Sequence, residues 1–428
     1  MRQALIIVMT IGVLLFSGTA SADKTDRLIQ LLVNKKIVTT EEAKAIMEEL
    51  VGEDKTKPDG KKEESAEKSS LKPTENLSVD YNKGIVLKTS DNNYSMKLNA
   101  RIQGMFSYDN PDGSPSDSTF RIRRARILSS GNVYAPWLQY NTQITLEGSS
   151  AAIRDAYMEA SYYEWLTPRI GQYKVPFDRE FLDGGFNLQL IERSIASAEF
   201  SLQRDIGLQF SGKKILGSLD YSVGIFNGSG ANQNNVDNDY MYVGRLVWNI
   251  LGSFPYSKSA VDNPSSSVLA LGIAGAYMPG LDPGERKTLA GSLGSTSVIP
   301  VESDVIQWTA DIAYKYGDFS FMGGYHYRNI DPKSATAYGK QGAWGVYLQS
   351  GYFFIPKHFE IAGRYAYVDP DNPVKITDNK ETEYTIGLNY YLSGHNIKTG
   401  INYSYFSIEN HAGDEDEKVL TTSVIMQF

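Results

Sequence analysis

Apolar and polar residues alternate strictly along most of the chain, beginning at residue 94. The first such segment places Tyr94, Met96, Leu98, Ala100, Ile102 and Phe106 on one face, and Ser95, Lys97, Asn99, Arg101 and Gln103 on the other. Successive side chains of a strand point to opposite faces, so this pattern predicts a strand with lipid on one side and water on the other. The last segment has the same pattern and ends on an aromatic residue, Phe428.

Segments of this kind recur about sixteen times. They lie near Tyr94, Phe120, Trp137, Ile153, Thr167, Arg204, Gly217, Tyr240, Val268, Val305, Phe319, Gln341, His358, Thr382, Ile397 and Val419. This even number predicts an all-β fold, a transmembrane antiparallel β-barrel of about 16 strands that is wide enough for an aqueous channel. The stretch from Pro176 to Leu202 is too long for a tight turn, and we expect it to constrict the lumen.

The residues before the alternating region have three other patterns. Residues 1–22 combine Arg2, an apolar stretch and three small residues, which is typical of the signal peptide of an exported protein. In residues 23–52 apolar positions recur at helical spacing, which predicts a helical hairpin or coiled-coil-like segment in the periplasm, with a weakly ordered arm as the alternative. Residues 53–83 are rich in Lys, Glu, Ser and Pro and are predicted to be a disordered linker. The barrel domain is expected to span residues 84–428, with residues 84–89 forming a short strand or a plug segment.

The composition agrees with a barrel and argues against other classes of protein. The chain has 28 Tyr and 38 Gly residues, which suits aromatic belts and tight turns. No apolar run of spanning length follows the N-terminus, so a helical membrane protein is excluded. The chain has no cysteine, and its four histidines show neither metal-ligand nor catalytic spacing. We therefore predict no enzyme activity, no cofactor and no nucleic-acid partner.

One predicted strand is unusually basic. The sequence FRIRRARI at residues 120–127 contains Arg121, Arg123, Arg124 and Arg126. Because Arg123 and Arg124 are adjacent, we expect a β-bulge there, which would turn Arg124 and Arg126 inward and leave Ile127 outward. The formal net charge of −8 does not favour an anion channel. A narrow lumen is governed by the few charges that face it, however, rather than by the sum over the chain.

Arginine suits an anion path because its guanidinium group stays charged and presents five donors in a planar fork. Several arginines in sequence would pass an anion from one weak site to the next. In the alternative interpretation the arginines pair with Glu147, Asp155 and Glu159 on neighbouring strands and create the transverse field of a general porin.

An ordered series of motifs resembles the phosphate-selective porin O and P family. The motifs are FRIRRARI at 120–127, GQYKVPF at 171–177, RDIGLQFSG at 204–212, GIFNGSG at 224–230, YLQSGYFF at 347–354, FEIAGRYAYVDP at 359–370 and YTIGLNYYLSGHNIK at 384–398. The resemblance covers residues 94–428. It implies a sixteen-stranded outer-membrane barrel, a homotrimer, an arginine ladder and an anion site built from basic residues and one aspartate.

Carried over by position, the implied anion site contains Arg101, Arg123, Arg124 and Asp155, with Lys174 as its lysine. Arg121 and Arg126 complete the predicted pore lining. The chain departs from a strongly basic lumen, because seven acids fall on predicted inward positions: Glu147, Asp155, Glu159, Asp205, Asp220, Glu360 and Glu383.

These observations predict an outer-membrane porin of a Gram-negative bacterium that passes small hydrophilic anions, phosphate or similar, through an arginine-lined channel. Its expected partners are outer-membrane lipid and the barrel assembly machinery, which would bind the C-terminal strand ending in Phe428. Two alternatives are a general, weakly selective porin and a structural barrel that sheathes or anchors a periplasmic partner such as an electron-transfer protein.

Overall fold

The computed structural model describes residues 77–148, 150–235, 238–281, 301–334, 339–369, 380–409 and 414–428. The predicted signal peptide, the predicted helical segment and residues 53–76 of the predicted linker lie outside these residues. The last part of the predicted linker contains a strand, β1 (Leu77–Tyr81), and β2 (Ile85–Thr89) follows it. Of the two structures expected for residues 84–89, the strand is therefore the one found.

Sixteen further strands form a closed antiparallel barrel. They are β3 (Ser95–Pro111), β4 (Asp117–Asn132), β5 (Leu138–Thr145), β6 (Ala152–Ala160), β7 (Thr167–Lys174), β8 (Arg204–Ile215), β9 (Leu219–Phe226), β10 (Met241–Leu251), β11 (Val268–Leu281), β12 (Ser303–Tyr316), β13 (Phe319–Pro332), β14 (Gln341–Ile355), β15 (Phe359–Asp369), β16 (Lys380–Ser393), β17 (Ile397–Glu409) and β18 (Glu415–Gln427). Each pairs with the next, and β18 returns to pair with β3. The predicted all-β barrel of sixteen strands is confirmed.

Two short helices also belong to the described part of the chain, α1 (Arg179–Leu182) and α2 (Ile195–Phe200). None of the helices in that part is long and apolar enough to span a membrane.

The barrel closes at Phe428. One edge of β3 pairs with β18 from Arg101 to Pro111. The amide of Phe428 donates to the carbonyl of Ala100 (3.0 Å), and the amide of Ala100 donates back to Phe428 (2.7 Å). The remaining residues of the same edge, Ser95 to Leu98, pair with β2. The hairpin of β1 and β2 therefore continues the sheet where the chain's last strand stops.

Side chains alternate across the wall as predicted. Along β16, Ile386 and Leu388 are about half exposed on the outer face, whereas Glu383 and Asn389 are completely buried inside. Outward aromatic rings also stack in two rows. One row crosses four neighbouring strands and contains Trp308, Tyr325, Trp344 and Tyr367, and the other, beside the turn between β14 and β15, contains Phe354, Phe359 and Tyr390. Exposed aromatic rings are typical of the outer face of a transmembrane barrel.

The two ends of the barrel differ in their connections. At the short-turn end, six of the links between strands are brief, at residues 133–137, 161–166, 216–218, 317–318, 356–358 and 394–396. The exception at that end is the link between β10 and β11, residues 252–267, which we call the inner loop. From the opposite, long-loop end, residues 175–203 enter the lumen between β7 and β8. We call them the constriction segment, and the prediction of a constricting loop here is confirmed.

Candidate functional site

The arginine strand, β4, contains the expected β-bulge. Gln103 of β3 pairs with Arg124 and the next residue, Gly104, pairs with Ile122, so Arg123 is the extra residue. Arg124 and Arg126 are buried, whereas Ile127 is exposed on the outer face. The bulge thus turns the second half of this strand so that its arginines face the lumen, as predicted.

A basic cavity of about 300 Å³ lies between the wall formed by β3 to β8 and the constriction segment. Its lining includes seven cations, namely Arg101, Arg126, Arg154, Arg169, Arg193, Arg204 and Lys174. Asp155 is the one carboxylate among the lining residues. Leu182, Gly184, Gly185 and Phe186 of the constriction segment form its opposite side.

Three of the seven cations are paired with carboxylates. Arg204 makes two hydrogen bonds to Asp155 (3.0 and 3.1 Å), and Arg169 binds Glu159 (2.6 Å). Arg126 lies 3.6 Å from Glu147. The cross-strand pairing considered as the alternative for the arginines therefore exists, but it accounts for fewer than half of the cations around the cavity.

The other four cations form no ion pair with a carboxylate among the described residues. Within the described ranges, the guanidinium groups of Arg101 and Arg154 have neither an ion pair nor a hydrogen bond, and their buried Nε atoms lack partners. Lys174 and Arg193 donate to the backbone carbonyl of Asp183 (2.8 and 2.9 Å), which carries no net charge. A buried donor without a partner is costly, so such groups are well placed to bind a ligand's oxygen atoms.

An aromatic ring orients part of the basic wall. The guanidinium groups of Arg101 and Arg126 lie over the ring of Phe186, 5.9 and 5.3 Å from its centroid. Stacking on a ring fixes a guanidinium plane and leaves its in-plane donors free for an anion.

Buried ionic contacts fix the constriction segment to the wall. Asp178 caps α1 by accepting from the amides of Glu180 and Phe181. Arg179 of α1 binds Asp311 of β12 (2.5 Å), which Arg245 of β10 also binds (2.7 Å). Side chains on several strands therefore help to fix the constriction segment, and with it the side of the cavity that this segment forms.

The predicted site residues divide into three groups. Arg101, Arg126, Asp155 and Lys174 meet around the basic cavity. Arg123 and Arg124 instead bind Glu192 of the constriction segment. Their Nη2 atoms donate to Oε2 of Glu192, at 2.9 Å from Arg123 and 3.1 Å from Arg124. Arg121 is exposed near the long-loop end and does not line the cavity.

Four cavity cations were absent from the predicted site: Arg154, Arg169, Arg193 and Arg204. Arg169 and Arg204 lie in strands recognised from the alternating pattern, and Arg193 lies in the predicted constriction segment. The local inward and outward pattern could have identified Arg169. Arg154 sits at a second bulge, between Ile153 and Asp155, which only the register with β5 reveals.

Comparisons with known proteins agree with this architecture. The family model of phosphate-selective porin O and P matches residues 96–428. An uncharacterized protein of Aquifex aeolicus is 26% identical over 310 residues, which is 64% of this chain and 67% of that protein. Among solved structures, an anion-selective porin from Comamonas acidovorans superposes with a TM-score of 0.55 at 14% identity, covering 78% of this chain and 100% of that one. The outer membrane channel DcaP of Acinetobacter baumannii gives 0.53 at 11% identity, covering 80% and 99%.

At such low identities the solved structures establish the fold alone, whereas the family match covers the whole barrel. Family and fold together point to a channel rather than an enzyme. The chain belongs to the phosphate-selective porin O and P family and is an outer-membrane porin.

Proposed function

We propose that this porin conducts small hydrophilic anions, phosphate or similar, through the basic cavity. The observation that carries the proposal is the excess of positive charge there, with seven cations and one carboxylate in the lining. A phosphate or carboxylate oxygen can exchange its water for guanidinium donors, and several weak sites in series allow it to leave again. The proposed pore-lining set is therefore Arg101, Arg126 and Arg154 with Lys174, tempered by Asp155.

A weakly selective porin is the second candidate. Glu147 and Glu159 each pair with one arginine near the path, and Glu192 pairs with both Arg123 and Arg124. If solutes follow these carboxylates as readily as the unpaired arginines, the anion preference would be small. A structural barrel that sheathes or anchors a periplasmic partner, the third candidate, draws support from the amount of lumen that the constriction segment fills.

The decisive measurement is the zero-current potential of the purified protein in a planar bilayer under a potassium chloride gradient. We expect an anion-selective potential and a chloride current that phosphate blocks. The double variant Arg101→Gln/Arg126→Gln should lower both, because it removes two cavity charges while keeping polar side chains. Arg121→Gln is the matched control, since it makes the same change on β4 outside the cavity.

Each alternative predicts a different result. An unchanged potential in the double variant would refute the assignment of these arginines. A potential near zero without phosphate block would favour the weakly selective porin. An absence of conductance in a correctly folded wild-type protein would favour the structural barrel.

We also propose a homotrimer, with the thin side of the barrel as its interface. Strands β5, β7 and β9 have 8 residues each, against 14 in β13 and 15 in β14. At a tilt of about 40° an 8-residue strand spans only about 20 Å, less than the apolar band of about 25 Å. A neighbouring subunit would cover this short wall, and cross-linking followed by native mass spectrometry tests the stoichiometry.

Two further proposals concern the ends of the chain. The exposed ring of Phe428, directly after β18, supports binding by the barrel assembly machinery. Deleting this residue should reduce the amount of folded barrel in the outer membrane. The segment before β1 is proposed to lie in the periplasm after removal of the signal peptide, which protease protection in intact cells would test.

A further inference from the structure

The inner loop, residues 252–267, is unlike the other links at its end of the barrel because it turns into the lumen. Phe254, Lys258, Ser259 and Ala260 in its middle are all less than 7% exposed. A link at the short-turn end is ordinarily brief and faces the periplasm. Burial of a lysine and a phenylalanine from such a link means that the loop fills space inside the barrel.

Contacts with the wall hold the inner loop on one side of the lumen. Asn263 binds Asp318 (2.5 Å), and Asp262 binds Lys315 of β12 (3.4 Å). Ala260 packs against Phe353 and Tyr391. These partners belong to β12, β14, β16 and a turn beside them, opposite the strands that form the basic cavity.

The inner loop also meets the constriction segment. Lys258 forms an ion pair with Glu180 of α1, and both side chains are almost completely buried. The guanidinium of the adjacent Arg179 lies over the rings of Phe254 (5.5 Å) and Tyr256 (5.4 Å). Two inserts that enter from opposite ends of the barrel are thus joined near its centre.

The charge of this junction is balanced. Burial alone would raise the pKa of Glu180, but Lys258 and Arg364 outweigh it and hold that pKa at about 2. Glu180 also accepts hydrogen bonds from the amide and hydroxyl of Ser194. A buried ion pair adds little net stability over apolar packing, but it enforces one arrangement, because either partner alone would be left as a buried charge.

The constriction segment fills the lumen beside β12 to β17, where it binds Gln307, Asn389 and Lys398. We propose that the inner loop closes the short-turn end of this region beside β12, β14 and β16, so that the two inserts together confine permeating solutes to the basic cavity. Lys258 and Glu180 act as positioning residues that hold the two inserts together. This inference rests on the proposed function for the identity of the permeating solutes. What it adds is the route that they take through the barrel. It makes the selectivity of this porin depend on a link at the short-turn end as well as on the constriction segment.

Cysteine accessibility tests the route. The chain contains no cysteine, so any reaction with a thiol reagent comes from the introduced residue. In single-channel recordings, Gly184→Cys in the cavity lining should react with a negatively charged methanethiosulfonate reagent and lose current. Ser259→Cys in the inner loop should remain unreactive. Rapid reaction and current loss at Ser259→Cys would overturn the proposal, since solute would then pass the inner loop.

Opening the second route is the complementary test. Replacing residues 254–262 by a short glycine-serine turn should raise the single-channel conductance about twofold or more, because it empties the space beside β12, β14 and β16 and removes Lys258, the ion-pair partner that holds the constriction segment there. Lys258→Met should give a smaller rise in conductance with a noisier current, and Lys258→Arg should keep the wild-type conductance because it keeps the positive charge. Unchanged conductance in the folded loop-replacement variant would refute the confinement.

The two proposals fail in distinguishable ways. If the wild-type channel has no anion preference but loop replacement still raises conductance, the confinement stands and the proposed anion function is wrong. If anion preference is present and loop replacement leaves both conductance and preference unchanged, the anion function stands and the confinement is wrong.

Discussion

Asp183 provides the sharpest test of how the constriction segment controls the charge in the cavity. Its side chain is completely buried, and neither carboxylate oxygen has a hydrogen-bond partner among the described residues. Burial raises its pKa from the ordinary 3.8 to about 6, although Lys258, Arg179 and Lys174 oppose this. Its chain neighbours, Leu182 and Gly184, line the cavity. The carboxyl group should therefore gain or lose its charge near the path in a physiological pH range.

The sign and size of the effect on stability follow from the raised pKa. The folded protein holds this proton more tightly than the unfolded chain does, so the contribution to stability is complete below about pH 4 and is lost as the pH rises through 6. A rise of about two pH units in the pKa corresponds to about 3 kcal/mol, at 1.36 kcal/mol per unit. Asp183→Asn should therefore stabilise the barrel by up to that amount at pH 8, and by much less at pH 4.5.

Conduction should follow the same titration. As the pH falls through 6, the wild-type protein should become more anion-selective because a negative charge beside the cavity is neutralised. Asp183→Asn should hold the low-pH selectivity across this range. The assays are the zero-current potential and the thermal unfolding of both proteins between pH 4.5 and 8. Asp80→Asn, an exposed carboxylate on β1, is the matched control.

Two results would refute this reasoning about Asp183. One is a pH dependence of selectivity in Asp183→Asn that equals that of the wild type. The other is an equal effect of the substitution on unfolding at pH 4.5 and pH 8, which would mean that the buried carboxyl does not titrate in this range.

Two further substitutions test other parts of the structure. Glu192→Gln should increase the anion preference in the zero-current assay, because it releases Arg123 and Arg124 from their shared carboxylate; a decreased preference would contradict that pairing. Gly171→Ala should destabilise the barrel by about 2 kcal/mol, since its φ of +129° is strained for other residues and its new methyl group would overlap the carbonyl of Ala156. Thermal unfolding measures the loss, and an unchanged midpoint would exclude this close approach.

The barrel itself could be predicted from the sequence because its signals are local. Strict alternation locates all sixteen barrel strands, although not β1, and the adjacent pair Arg123 and Arg124 locates the bulge before any partner strand is known. The constriction segment was predictable from its length and charged residues. These features depend on the two-residue period of a strand and on the steric limits of a turn.

The details of the site were less predictable because they depend on contacts between distant residues. Arg123 and Arg124 carry the strongest sequence signal, yet Glu192, far along the chain, occupies both. The inner loop was not predicted at all. Its sequence, rich in Ser, Pro and Asn, is typical of a surface link, and nothing local indicates that Lys258 will meet Glu180.

Closure through Ala100 and Phe428 constrains the order in which this protein can fold. The two residues that complete the sheet are separated by nearly the whole barrel sequence, so the pair cannot form until the chain has been synthesised and exported as far as Phe428. Contacts between residues so far apart in the chain form slowly, and strand edges that are still unpaired before closure are prone to aggregation. The nascent chain must therefore cross the periplasm with every strand made and the sheet still open. We expect it to depend on holding chaperones until closure makes the barrel self-protecting.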